Sequence, residues 1–224
     1  MRKLFKIGIT GGIGSGKTKL LQYLSSIPRV YTINLDLIGH EIYKYNPHVL
    51  RNIRKIFGDE CVQLDNSLQH NQCHVQAIRR DKLGEKVFKN EYNLNVLKSI
   101  MSPEIKRFLI EQMSEMEYRH GDKYDVIAVE GAILIEMNTH VLMDEVWVTT
   151  LDKEDAVQRV MKRNPNLTEA LVRDRINRQI DDKERLKYAS FHYDTSDKAT
   201  FEQNKLLIDQ QLQRLRDMKL LQSI

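Results

Sequence analysis

Cysteine is nearly absent from this 224-residue chain, which holds only Cys61 and Cys73. They form no CxxC pair, and no His/Cys cluster with zinc spacing surrounds them. A disulfide scaffold and a structural zinc site are therefore excluded as the basis of the fold. No run of 18 or more apolar residues occurs, so no membrane-spanning helix is expected. The start, Met1-Arg2-Lys3, is basic, but the apolar stretch after it is short, is interrupted by Lys6 and has no cleavage site, so no secretory signal is expected. Charge of one sign is scarce too: the formal net charge is only +4. Its lysines and arginines are scattered and no aromatic-rich RNA-binding signature accompanies them, so nucleic acid is not an expected partner. An N-K-x-D element is missing, which argues against a GTPase. Neither an internal repeat nor a Pro/Ser linker appears, and the length fits one domain with a small inserted subdomain.

What is present alternates strands with helices. Leu4–Thr10, Val30–Asn34, Tyr124–Glu130, Glu145–Leu151 and the weaker Tyr188–Tyr193 read as strands. Lys17–Ser25, Leu37–Tyr43, Val49–Phe57 and Lys153–Lys162 read as helices. Arg80–Met113 reads as helical with a break at Ser102-Pro103, and a helix capped by Thr168 is expected to run toward Arg185. The polar stretch Gly58–Gln76 reads as a loop. A capping box at Thr200 opens a last helix whose core face is expected to carry Ile208, Leu212, Leu215 and Met218. This alternation predicts an α/β/α three-layer fold of P-loop NTPase type, with a mostly parallel five-stranded sheet. The expected organisation is a core at about 1–48 and 119–224, a helical substrate subdomain at about 49–118, and a small helical lid at about 159–187.

The strongest signal is Gly11-Gly12-Ile13-Gly14-Ser15-Gly16-Lys17-Thr18, a full match to G-x-x-x-x-G-K-[ST] between a strand and a helix. Glycines let the backbone come close to a ligand. The loop N–H groups and the helix N-terminus then converge on phosphate oxygens. Lys17 is expected to reach the β- and γ-phosphates of ATP, and the Thr18 hydroxyl to ligate Mg²⁺.

Other residues admit two readings each. Asp36, just past the second strand, is either the base that accepts a substrate hydroxyl proton or the cap of the next helix. Arg159, Arg163, Arg173, Arg175 and Arg178 flank the turn at Asn164–Asn166 and form either a phosphate-closing lid or a solvated charged face. Glu130, at the end of a buried strand, either holds the metal's water shell or is an inert strand-end charge.

These segments together resemble the dephospho-CoA kinase family, in a form closest to the kinase domain of eukaryotic coenzyme A synthase. The resemblance rests on Ile9–Thr18, on Ile33–His40 as an Asp-x-Asp-x-x-x-His stretch, and on Ile78–Gly84 with Val87-Phe88 as an Arg-x-x-Leu-Gly run. Ser99–Ile105, Val129–Glu136 and the set Arg159, Arg163, Arg175 and Gln179 complete it. It implies that Asp36 is the base, that Lys17, Arg163 and Arg175 neutralise the transferring group, and that Asp36, His40, Arg80 and Leu83 face the substrate. It further implies ATP with Mg²⁺, dephospho-CoA as acceptor at its ribose 3′-hydroxyl, and a monomer or weak homo-oligomer working in the cytoplasm. Another small-molecule or nucleotide kinase of the same fold is the nearer alternative, and a non-catalytic ATP-binding module the more distant one. The pattern is departed from at Asn34, where an Asp is expected, and at Ser102, Ala132 and Ser190.

Overall fold

The computed structural model describes residues 3–65, 74–87, 90–196 and 201–218. The chain divides into two compact units, Met1–Asn34 with Met113–Ile224, and Leu35–Gln112. It opens in the first unit with β1 (Phe5–Gly11), α1 (Lys17–Ser26) and β2 (Val30–Asn34). The second unit follows: α2 (Leu35–Tyr45), α3 (Pro47–Phe57), β3 (Val62–Asp65), β4 (His74–Ile78), α4 (Arg80–Val87) and most of α5 (Glu91–His120). The chain returns to the first unit for β5 (Val126–Glu130), β6 (Glu145–Thr150), α6 (Lys153–Arg163) and α7 (Glu169–Asn177). It ends with α8 (Asp182–Leu186), β7 (Phe191–Asp194) and α9 (Phe201–Asp217).

In the first unit five strands form one sheet in the order β2-β5-β1-β6-β7, every pairing parallel. Parallel strands covered on both faces read as continuous apolar runs, and β5 (VIAVE) is buried at every position. Alternate residues serve opposite faces. Ile7 and Ile9 of β1 join Leu20, Leu21 and Leu24 of α1 and Ile208, Leu212 and Leu215 of α9 in one core cluster. Gly8, between them, faces the other way, where a Cβ would come within 2.7 Å of Met143. Trp147, the only tryptophan, is fully buried in β6, edge-on to Phe191 with ring centroids 5.2 Å apart, and its Nε1 donates to Glu145 at 2.8 Å. Each such buried large side chain contributes about 1.5–3 kcal/mol.

In the second unit Asn46 caps α3, its side chain accepting from His48 N and Val49 N, with Pro47 at the first helical position. Val49, Leu50, Ile53 and Phe57 form the buried stripe of that helix. The unit begins at Leu35 rather than near 49, because α2 packs on α3 and β4.

Several sequence expectations need correction. Gly58–Gln76 is not simply a loop: β3 and β4 pair antiparallel within it, Val62 opposite Ile78. Val62-Gln63-Leu64-Asp65 does alternate apolar with polar, but over only four residues set in a polar stretch that masks it. No break occurs at Ser102-Pro103, since α5 is continuous through Pro103. An interior proline costs about 3 kcal/mol. The buried Met101, Ile105, Leu109, Met113 and Met116, on both sides of it, together outweigh that cost. The helix expected to reach Arg185 is two helices, because Asp181 caps a new one, accepting from Glu184 N at 2.7 Å. Met218 is exposed beyond the end of α9, one turn past the buried Leu215. Cys73, Phe88 and the capping box at Thr200 lie outside the described residues.

Candidate active site

The glycine-rich loop follows the carboxyl end of β1, where ligands of open parallel sheets bind. Gly14 and Gly16 have φ of 81° and 84°, the left-handed region that side-chain-bearing residues avoid. Gly16 is also the N-cap of α1, and no side chain caps the first turn there. The helix N–H groups are thus turned toward the loop rather than consumed by a cap, an arrangement suited to an anion. Lys17 is buried and folds back over the loop, donating to Gly11 O at 3.0 Å and Gly12 O at 2.8 Å. Ser15 Oγ lies 2.7 Å from Thr149 Oγ1, and Thr149 pairs with Gly11 in the β1–β6 register.

Beside the loop stands an acid. Glu130 closes β5, in register with Asn34 of β2 on one side and Ile9 of β1 on the other. Its carboxylate accepts from Thr18 Oγ1 at 2.9 Å and from Asn34 Nδ2 at 3.1 Å. A buried carboxylate is costly unless hydrogen-bonded, and these two donors satisfy one oxygen each. The Thr18 hydroxyl and the Glu130 carboxylate are hard oxygen donors, the ligand type Mg²⁺ takes. Among the described residues no group of three or more His, Cys, Asp and Glu side chains could hold a metal ion.

The segment after β6 closes on the loop from the other side. Gln179 Oε1 accepts from Ile13 N at 2.9 Å. Arg159, on α6, donates to Thr195 O at 2.6 Å, and Thr195 Oγ1 lies 3.0 Å from Ser15 O. Arg163 and Arg175 are exposed on α6 and α7, and neither is brought to the loop by a hydrogen bond among the described residues. Arg173 and Arg178 pair with acids on the surface, Arg173 with Glu154 and Glu169 and Arg178 with Asp174. Burial selects a different arginine: Arg185, on α8, is 2% exposed.

Asp36, His40, Arg80 and Leu83 belong to the second unit. Because α2 begins at Leu35, Asp36 is inside its first turn rather than at its cap, and it is exposed. An acid there gains about 0.3–1 kcal/mol from the helix dipole. Arg80 and His40 come together, with Arg80 Nη1 2.6 Å from His40 Nδ1. Near them burial pushes the Tyr43 phenol up to about 12, and the Arg80 charge opposes this. Leu83 is buried inside the unit, on the helix that Arg80 starts.

Thr149, Thr195 and Arg185 were not singled out by sequence. Thr149 and Thr195 act on Ser15 from far along the chain, and Arg185, bonded locally to Asp182, comes near the loop only in the folded chain, so no local pattern marks them.

The family model described as dephospho-CoA kinase matches residues 5–200. A dephospho-CoA kinase of Dehalococcoides mccartyi is 36% identical over 184 residues, covering 82% of this chain and 85% of the relative. One of Bacillus licheniformis is 32% identical, covering 91% of this chain and 94% of the relative. Among solved structures, a Thermus thermophilus protein superposes with a TM-score of 0.73 at 23% identity, covering 96% of this chain and 99% of that one. A Campylobacter jejuni dephospho-CoA kinase superposes at 0.60 with 24% identity, covering 92% and 96%. At these identities the two structures speak for the fold, and the family match speaks for descent. The chain belongs to the dephospho-CoA kinase family.

Proposed function

We propose that this protein transfers the γ-phosphoryl group of ATP to the ribose 3′-hydroxyl of dephospho-CoA, giving coenzyme A and ADP. One observation carries the kinase reading: a complete phosphate loop whose Thr18 hydroxyl is bonded to the strand-end carboxylate of Glu130. Phosphoryl transfer asks the protein chiefly for positioning and charge stabilisation. The loop N–H groups and Lys17 hold the β- and γ-phosphates. Thr18 would bind Mg²⁺ directly and Glu130 through its water shell, and the ion supplies charge neutralisation between those phosphates. Asp36 orients the acceptor hydroxyl and takes its proton. Arg163 and Arg175 close over the phosphates as the lid moves, which exposed side chains on short helices are free to do. On the acceptor side, Arg80 beside His40 offers a fixed positive charge suited to substrate phosphate, and Leu83 anchors the helix that carries Arg80.

Among the described residues no helix is long and apolar enough to cross a membrane. The expected setting is the cytoplasm, with the chain a monomer or weak homo-oligomer and its partners the two small substrates. The test is ADP release from ATP and Mg²⁺ with dephospho-CoA, AMP, UMP, adenosine or pantothenate as acceptor. Stimulation by dephospho-CoA alone, with coenzyme A as product, is expected; stimulation by another acceptor instead would keep the kinase and discard this substrate. In Asp36→Asn, turnover should fall by roughly 10²–10⁴-fold with ATP affinity nearly unchanged. Normal turnover in that variant would remove Asp36 from the proton-accepting role.

A further inference from the structure

Arg185 is the most buried arginine of the lid region and is only partly used. Its Nη1 donates to Asp182 Oδ1 at 2.7 Å. Its Nε and Nη2, equally buried, have no hydrogen-bond partner among the described residues. A guanidinium buried with both Nε and Nη2 unpaired is destabilising unless something else completes it. The unpaired atoms are not a random pair. Nε and Nη2 form one edge of the guanidinium fork, the edge that meets two oxygens of a phosphate or carboxylate side by side.

The surroundings identify the ligand. A Cβ added to Gly12 would stand 3.6 Å from Arg185 Nη1, 3.9 Å from Asp182 Oδ1 and 4.0 Å from Gln179 Oε1. Three lid side chains therefore crowd the first half of the phosphate loop. Two of them present acceptor oxygens there: Gln179 Oε1 takes the Ile13 N–H at 2.9 Å, and Asp182 takes Arg185. Both donors are of the kind that bind phosphate oxygens. A cavity of about 220 Å³ opens between Gly12, Ile13, Ile176, Gln179, Asp182 and Arg185. Sites for whole drug-sized ligands run to about 300–1,000 Å³. The space has room for a phosphoryl group beside the loop.

We propose that Arg185 is a phosphate-binding residue of this site, and that Asp182 and Gln179 are placeholder acceptors which the terminal phosphate oxygens of a bound polyphosphate displace. The inference rests on the kinase reading, since it presumes that a polyphosphate occupies the loop. On displacement, Ile13 N–H passes from Gln179 to a phosphate oxygen, and the Nε/Nη2 edge of Arg185 gains a bidentate partner. No bond is made or broken in the exchange. Asp182 thereby sets a threshold, because its carboxylate competes with phosphate for one guanidinium.

The experiment is equilibrium binding of inorganic tripolyphosphate, with Mg²⁺ present, to the full chain and three variants, with thermal melts of each. Lys17→Ala should lose binding and serves as the control for the loop. Arg185→Lys keeps the charge and removes the fork; it should weaken binding about tenfold or more. Asp182→Asn removes the competing charge and should tighten binding about three- to tenfold, and this variant decides the matter if Arg185→Lys does not fold. Tripolyphosphate binding that Lys17→Ala abolishes, but that Arg185→Lys and Asp182→Asn leave at the wild-type value, would make Arg185 a purely structural cation and overturn the proposal. Wild-type protein that binds neither tripolyphosphate nor ATP would overturn the kinase reading itself, and the proposal with it.

Discussion

Asn34 and Glu130 face each other at the ends of neighbouring strands, amide to carboxylate at 3.1 Å. In Asn34→Asp two like charges would share that contact, and the Glu130 carboxylate would lose a donor. Loss of such a bond in a buried setting costs about 1–3 kcal/mol. The variant should therefore be less stable by that amount at pH 7 in urea denaturation without Mg²⁺. Repulsion raises the pKa of one carboxylate of such a pair, so the deficit should shrink as pH falls toward 5 and the pair shares a proton. An equal deficit at both pH values would show that charge is not its cause. At this scale the phosphate loop was legible from sequence because its eight residues are contiguous and their chemistry is local. Glu130 was legible as an acid ending an apolar run, although its two hydrogen bonds were not. Thr149 and Arg185 were invisible: Thr149 meets the loop through the β1–β6 register, and Arg185 meets it only once α8 is folded against Gly12.

The helices show where local signals mislead. Pro103 reads as a stop, yet α5 passes through it because buried residues hold the helix on either side. Pro103 itself is exposed, so no packing is lost by replacing it. Pro103→Ala should restore a backbone donor and stabilise the protein by about 1–3 kcal/mol, less the entropy it returns to the unfolded chain. Urea denaturation measures this, and a destabilised variant would mean that the proline's restriction of the unfolded chain outweighs the donor it removes. The reverse error occurs between α7 and α8, where a continuous polar pattern hides the cap at Asp181. That interruption matters because it lets Gln179 and Arg185 both face the loop, which one straight helix would not arrange. The β3–β4 pair was missed for a different reason: its alternation, as in Val62-Gln63-Leu64-Asp65, covers only four or five residues, and its pairing depends on the unit around it.

At the scale of the whole molecule, each unit hides a tyrosine with a raised pKa. Burial lifts Tyr193 of β7 and Tyr43 of α2 from 10.0 to about 12, Arg80 opposing the effect at Tyr43. For both groups the folded state holds its proton more tightly than the unfolded state. Their stabilisation is therefore complete below pH 10 and is lost as pH rises toward 12, at up to about 1.4 kcal/mol per pH unit for each group. A series of denaturation curves from pH 9 to 12 should show the decline beginning near 10, and a flat profile would rule it out. Replacing Tyr193 by Phe should flatten its share of the slope. The division into units also follows from sequence only in part: a helical insertion was expected, but its start at Leu35 depends on how α2 packs. Finally, the lone indole at position 147 lies in the sheet of the first unit, and the second unit has none. Emission from that ring is thus a spectator of one half only. Superimposed fluorescence and circular-dichroism melts would reveal a single cooperative transition, whereas a dichroism change that precedes any change in emission would reveal the second unit unfolding by itself.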